Sequence, residues 1–193
     1  MEKYIYKLFI GALCLSSLPA GAWHGDVKVE TPKMQLLLTA AEGGDVRLVY
    51  FGAKTATRQE IVDAGADLNF SALPAFGTVD MIHLPAIQVQ HANGDQNLEL
   101  EVTDYASTDE GAAVVHTFTM KDKLLPFTVC LCYKAYKNVD VMETWTEVNH
   151  EEKRAVILKR YDSGHLSIRR NDVWLTHLHG DWAAESDVTQ EQS

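Results

Sequence analysis

The chain has 193 residues, with 17 lysines and arginines against 27 aspartates and glutamates, a formal charge of −10 and 46% hydrophobic residues. That length suits one domain behind a short leader, and it falls short of the roughly 250 residues that a (β/α)₈ barrel takes. The composition is that of a globular chain with a core, and the acidic balance repels phosphate backbones, so nucleic acid is excluded as an expected partner.

Residues 1–22 read as a secretory signal peptide. Lys3 and Lys7 give a basic start, Leu8 to Leu18 is an apolar run, and Pro19-Ala20-Gly21-Ala22 ends it with small residues. Such a run is too short to cross about 30 Å of hydrocarbon at 1.5 Å per residue, which argues against a membrane anchor. Cleavage after Ala22 is expected to leave Trp23 at the N-terminus of an exported protein, periplasmic or extracellular, with no membrane contact. Cys14 lies inside the leader, so export leaves Cys130 and Cys132. Their spacing puts both on one face of a strand, where a bridge between them would be strained, and they are expected as buried thiols.

From there the chain reads as strands. Met34 to Thr39, Val46 to Phe51, Ile87 to Gln90, Leu98 to Val102 and Ala113 to Thr119 alternate with period two or carry β-branched and aromatic residues. Phe127 to Lys134, Val139 to Asn149, Ala155 to Asp162, His165 to Arg169 and Val173 to His179 continue the series. Turn chemistry separates them, as in Glu42-Gly43-Gly44-Asp45, Asn93-Gly94-Asp95 and Asp162-Ser163-Gly164. Only Arg58 to Ala64 hints at a helical turn. Strands at intervals of about 8 to 12 residues predict an antiparallel all-β sandwich.

Motifs for chemistry are sparse. His177-Leu178-His179 with Asp181 and Glu185 offers metal donors, but the pattern is common by chance and reads as structural or solvent-facing, so no metal is expected. Ser163 lacks the nucleophile-elbow pattern and reads as a turn. No phosphate loop or Cys-x-x-Cys occurs, and no cofactor is expected. The segment Ala72 to Asp80 is different in kind: Pro74 and Gly77 fix a loop whose tip carries Phe76 and Asp80, an apolar platform beside a hydrogen-bond acceptor. That pairing suits a sugar. It equally suits Phe76 as a plug at the sandwich end with Asp80 capping a turn.

These elements in order resemble the N-terminal domain of glycoside hydrolase family 36, the α-galactosidases. The resemblance rests on Pro74-Ala-Phe-Gly-Thr-Val-Asp80, Leu84-Pro-Ala86, Asn93-Gly94, Val148-Asn149, Tyr161-Asp-Ser163 and Leu178-His-Gly-Asp-Trp-Ala-Ala-Glu185. It runs from about Met34 to Glu185. It implies a galactose-mutarotase-like β-supersandwich over residues 23–185, probed by an α-galactoside or oligosaccharide, packed on a catalytic barrel and able to form homo-oligomers. Both catalytic aspartates of the family lie on that barrel, so no catalytic residue is expected among these 193. The family's sandwich also continues further, which implies an incomplete domain ending in a polar tail, 186–193. Asp80 takes the place of the family's ring-binding loop aspartate and Trp182 that of a pocket-wall tryptophan; both are the expected substrate-binding residues. The chain departs from the family at Val79-Asp80-Met81-Ile82 and Trp182-Ala183-Ala184-Glu185, where an arginine is common. A free-standing carbohydrate-binding sandwich and a structural interaction domain are the alternatives.

Overall fold

A computed structural model of the chain describes residues 23–54, 57–63, 68–78, 84–167, 174–181 and 184–192. Among them lie twelve strands and one short helix. Strands β1 (Gly25–Glu30), β2 (Met34–Ala40), β3 (Val46–Ala53) and β4 (Phe70–Ser71) form one antiparallel sheet in chain order. Strands β6 (Leu100–Asp109), β7 (Ala113–Asp122), β8 (Phe127–Tyr136) and β9 (Met142–His150) form a second, also in chain order. Two smaller antiparallel pairs accompany them among the described residues: β5 (Ile87–Gln90) with β10 (Ile157–Tyr161), and the hairpin of β11 (Trp174–Asp181) with β12 (Ala184–Gln192). The predicted all-β antiparallel sandwich is the fold observed.

The two large sheets share one core because their strands alternate. Val27 and Val29 from β1, Leu36 and Leu38 from β2 and Leu48 from β3 meet Phe118 and Met120 from β7 and Val129 and Leu131 from β8. On β8 the odd positions 127, 129, 131, 133 and 135 are all buried while Thr128, Cys130, Lys134 and Tyr136 are half-exposed, the period-two signature of a sheet with one face inward. Pairs such as Phe118 with Leu131 and Met120 with Val129 lie directly opposite across β7 and β8, so the register itself assembles the core. Leu37, between the inward Leu36 and Leu38, faces the outer side of the first sheet, and a bulge opposite the Leu37–Leu38 step leaves Val49 as the extra residue of β3. There Leu37 and Val49 bury Ile61 of helix α1 (Arg58–Asp63). A capping box starts that helix: the Glu60 carboxylate accepts from the Thr57 amide at 2.7 Å, and the Glu60 amide donates to Thr57 Oγ1 at 3.3 Å.

Several elements differ from the expectation. Strand β1 was not anticipated, although Val27 and Val29 alternate with polar neighbours. Strand β6 runs seven residues beyond Val102, to Asp109, on an exposed polar stretch that pairs with β7 along its whole length. The run from Val139 starts its strand only at Met142, because Asp140 is drawn off to cap another turn: its Oδ1 accepts from Thr31 Oγ1 at 2.9 Å and from the Lys33 amide at 2.7 Å. His165 to Ser167 lie outside any strand, and Ile168 and Arg169 outside the described residues. The expected polar tail from Ser186 pairs as part of β12, through Gln192, with β11. Backbone pairing rather than side-chain polarity decides these last cases.

Cys130 and Cys132 both lie on β8. Cys132 is buried and Cys130 half-buried, facing Thr117 and Thr119 on the outer side of the second sheet.

Candidate functional site

The loop that carries Phe76 is held rigidly at its base. The Pro74 carbonyl accepts from the Ala86 amide at 2.7 Å, the Phe76 amide donates to the Ile87 carbonyl at 3.0 Å, and the Leu98 amide donates to the Phe76 carbonyl at 3.2 Å. Thr78 closes the turn with its hydroxyl on the Ala75 carbonyl at 2.8 Å. Gly77 sits at φ +93°, and a Cβ there would stand 2.6 Å from Asn97 Oδ1, so both conformation and space demand glycine. Phe76 is half-buried. Asp80 follows Thr78 by two positions and lies outside the described residues, as does Trp182.

Beside this loop opens a polar cleft of about 320 Å³, between Gly77 and Thr78 on one side and Asp45, Arg47, Glu99 and Lys123 on the other. The hairpin turn before β3 supplies Asp45, and Arg47 is the second residue of that strand. The guanidinium is fixed: Nε donates to Asn69 Oδ1 at 2.9 Å, Nη2 to the Asn69 carbonyl at 2.6 Å, and Nη1 lies 3.4 Å from Asp45. Asn69 reaches this geometry with φ +48°, a conformation asparagine tolerates better than most residues. Lys123 Nζ lies 3.9 Å from Glu99 Oε2. Two carboxylates and two cations of fixed or limited reach suit hydrogen bonding to vicinal hydroxyls. The sequence reading took Asp45 only as a turn residue and missed Arg47, whose one local signal is its place two residues after that turn.

The second expected constellation is only partly described. His177 Nε2 lies 3.5 Å from Glu191 Oε1 across the β11–β12 hairpin. The side chains of His179, Asp181 and Glu185 are outside the described residues. Ser163 lines a different, largely apolar cleft of about 340 Å³ where Leu36, Leu48, Phe51 and Met142 from the two sheets diverge. Tyr133 reaches that cleft too, and burial holds its phenol above the ordinary range.

A buried imidazole–carboxylate contact that spacing could not reveal joins the turn after β5 to the segment after β9. His91 Nδ1 lies 2.7 Å from Glu152 Oε1, the Ala92 amide donates to Glu152 Oε2 at 2.8 Å, and Phe127 sets its edge against the imidazole. Burial alone would raise the Glu152 pKa, but the hydrogen bonds from His91 and Ala92 together hold the carboxyl below its ordinary value. The pair is 61 residues apart in the chain.

Comparison with known proteins bears on this geometry. The family described as glycosyl hydrolase family 36 N-terminal domain matches residues 44–193. Among solved structures, a variant of the GH36 α-galactosidase AgaA from Geobacillus stearothermophilus in complex with raffinose superposes with a TM-score of 0.76 at 20% identity, over 88% of this chain and 28% of that one. The α-galactosidase from Lactobacillus brevis gives 0.75 at 16% identity, over 91% of this chain and 28% of its own. The galactosidase domain of the α-galactosidase-sucrose kinase AgaSK gives 0.74 at 16% identity, over 86% and 27%. The chain thus spans little more than a quarter of these relatives. No curated protein sequence matches it.

Proposed function

The chain belongs to the glycosyl hydrolase family 36 N-terminal domain family, and from that premise we propose that it is the non-catalytic sandwich of an exported α-galactosidase acting on α-galactosides. The observation that carries this reading is the family match over residues 44–193, which begins in the turn that supplies Asp45 and spans the loop holding Phe76. In this reading the sandwich does no chemistry. It presents Asp80 and Trp182 to a galactoside bound on a separate catalytic barrel, and the fixed Arg47 and Asp45 form a recognition surface beside the loop. The leader 1–22 sends the protein out of the cytoplasm.

The test is an assay of the purified, contaminant-free protein against p-nitrophenyl α-galactoside, together with the coding sequence that follows Ser193. The expected result is no release of p-nitrophenol, and a downstream barrel with two catalytic aspartates. Measurable turnover by this chain overturns the non-catalytic assignment. A stop codon directly after Ser193 favours a free-standing carbohydrate-binding module instead. N-terminal sequencing of the exported form is expected to begin at Trp23, and an intact Met1 refutes the leader.

A further inference from the structure

A third cleft, of about 310 Å³, lies at the edge of the sandwich, where β1 and the β1–β2 turn approach β7 and the β8–β9 turn. Its ionisable lining is Lys28, Lys54, Lys137, Glu30 and His116, three lysines against one carboxylate in a chain whose formal charge is −10. The polar cleft beside the Phe76 loop, by contrast, balances two carboxylates with two cations.

Two of the three ammonium groups are already held. Lys54 Nζ lies 3.3 Å from Glu30 Oε2, and Lys137 Nζ lies 2.6 Å from Asp109 Oδ1. These contacts fix the cations in place. Lys28 is exposed and makes no ion pair among the described residues.

His116 supplies the buried polar group. Its residue is 8% exposed, and its Nδ1 lies 2.9 Å from the Tyr105 hydroxyl. Ser107 lies opposite His116 in the register of β6 and β7. His116 lines the cleft, and its Nε2 has no protein partner among the described residues. Burial lowers the His116 pKa, consistent with a neutral donor. With its proton on Nε2, as a tyrosine hydroxyl donating to Nδ1 would leave it, His116 joins the neighbouring ammonium groups as a donor set for a group with several acceptor oxygens.

We propose that this cleft binds an oxoanion: the carboxylate, sulfate or phosphate of an acidic saccharide, or the free inorganic ion. The site is separate from the loop cleft, and its chemistry is opposite to that expected for a neutral galactoside. It goes beyond the galactosidase reading and stands if that reading fails.

The test is equilibrium binding of inorganic sulfate, galacturonate and galactose to the purified protein at low, matched ionic strength. Saturable binding of sulfate or galacturonate at one site, with none of galactose there, is the expected result. Lys28→Met, on an exposed strand position, is expected to weaken binding by about tenfold, the worth of one charge-assisted hydrogen bond. Lys153→Met, on a different loop, is expected to leave it unchanged. In ¹⁵N spectra the anion is expected to shift the His116 Nε2 resonance. Galacturonate bound well ahead of sulfate identifies an acidic sugar as the source; equal binding identifies the anion itself. No saturable binding by either anion, equal losses in Lys28→Met and Lys153→Met, or an unmoved His116 resonance at saturation each overturns the proposal.

Discussion

Strands β7 and β8 and the hairpin of β11 and β12 are written in similar residues and meet opposite fates. Phe118 on β7 is 0% exposed and Leu131 opposite it is equally buried, whereas on the hairpin Leu178 is 69% exposed and Val188, its cross-strand partner, 68%. Both pairs are apolar residues facing each other across an antiparallel ladder. The difference is the layer above: β7 and β8 have the first sheet over them, and the described part of the hairpin has nothing over its Trp174, Leu178 and Val188. Strand β10 is intermediate, with Ile157 and Leu158 exposed although Tyr161 donates its hydroxyl to the Thr146 carbonyl. Alternation makes a strand amphipathic, and only a second layer turns the apolar face into stability.

That contrast is sharpest under truncation. Phe118→Ala is expected to cost about 3–5 kcal/mol by leaving a cavity among Trp23, Tyr105 and Tyr133, which equals a large share of a domain's net stability. Leu178→Ala is expected to stay within about 0.5 kcal/mol. Urea unfolding followed by tryptophan fluorescence measures both. Comparable losses at the two positions would show that the hairpin is covered in solution, by self-association or otherwise. Size-exclusion chromatography of the Leu178→Ala variant distinguishes these, since an exposed apolar hairpin favours association and its truncation should reduce it.

The next largest effect is expected at the buried His91–Glu152 pair, which couples the packed core to the segment leading into β10. Glu152→Gln removes the carboxylate charge that His91 and the Ala92 amide hold and is expected to cost about 1.5–3 kcal/mol, the range for hydrogen bonds to a charged group. The pH dependence follows from the depressed Glu152 pKa. The folded state holds this carboxylate more strongly than the unfolded chain does, so its contribution is present above the unfolded value of 4.5 and is lost as pH falls through the lower folded value. Wild-type stability is therefore expected to fall more steeply below pH 4.5 than that of Glu152→Gln. Parallel curves in acid would assign the stability to packing around Phe127 rather than to the pair.

The smallest effect tests whether the helix that covers the outer face of the first sheet is itself a needed layer. Thr57→Ala removes the N-cap of α1 and is expected to cost about 1 kcal/mol. Thermal melting reads it. A loss much below that value would mean that Ile61 docks on Leu37 and Val49 whether or not the helix is capped.

Much of this was legible because its cause is local. Period-two alternation marks β2, β3, β5, β7 and β8, and Gly43-Gly44, Asn93-Gly94 and Gly77 mark reversals that few other residues make. The Phe76 loop was legible for the same reason, since Pro74 and Gly77 restrict the backbone whatever surrounds them. The polar strand ends were not. Residues 103–109 and 186–192 carry little apolar signal, and they are strands because a neighbouring strand offers its hydrogen-bonding edge.

The sequence by itself determined the fold class, the order of the main strands, the rigid loop at 74–78 and the resemblance that points to a sugar-binding enzyme family. Each depends on residues close together in the chain, where alternation, φ preference and turn chemistry act through neighbours. Tertiary structure alone decided that Arg47 is clamped by Asn69, that His91 meets Glu152 and that Lys28, Lys54 and Lys137 ring one cleft with His116. Those groups are brought together by sheet register and by one sheet packing on another, and a charge or a hydrogen bond acts across whatever distance the packed fold leaves between them.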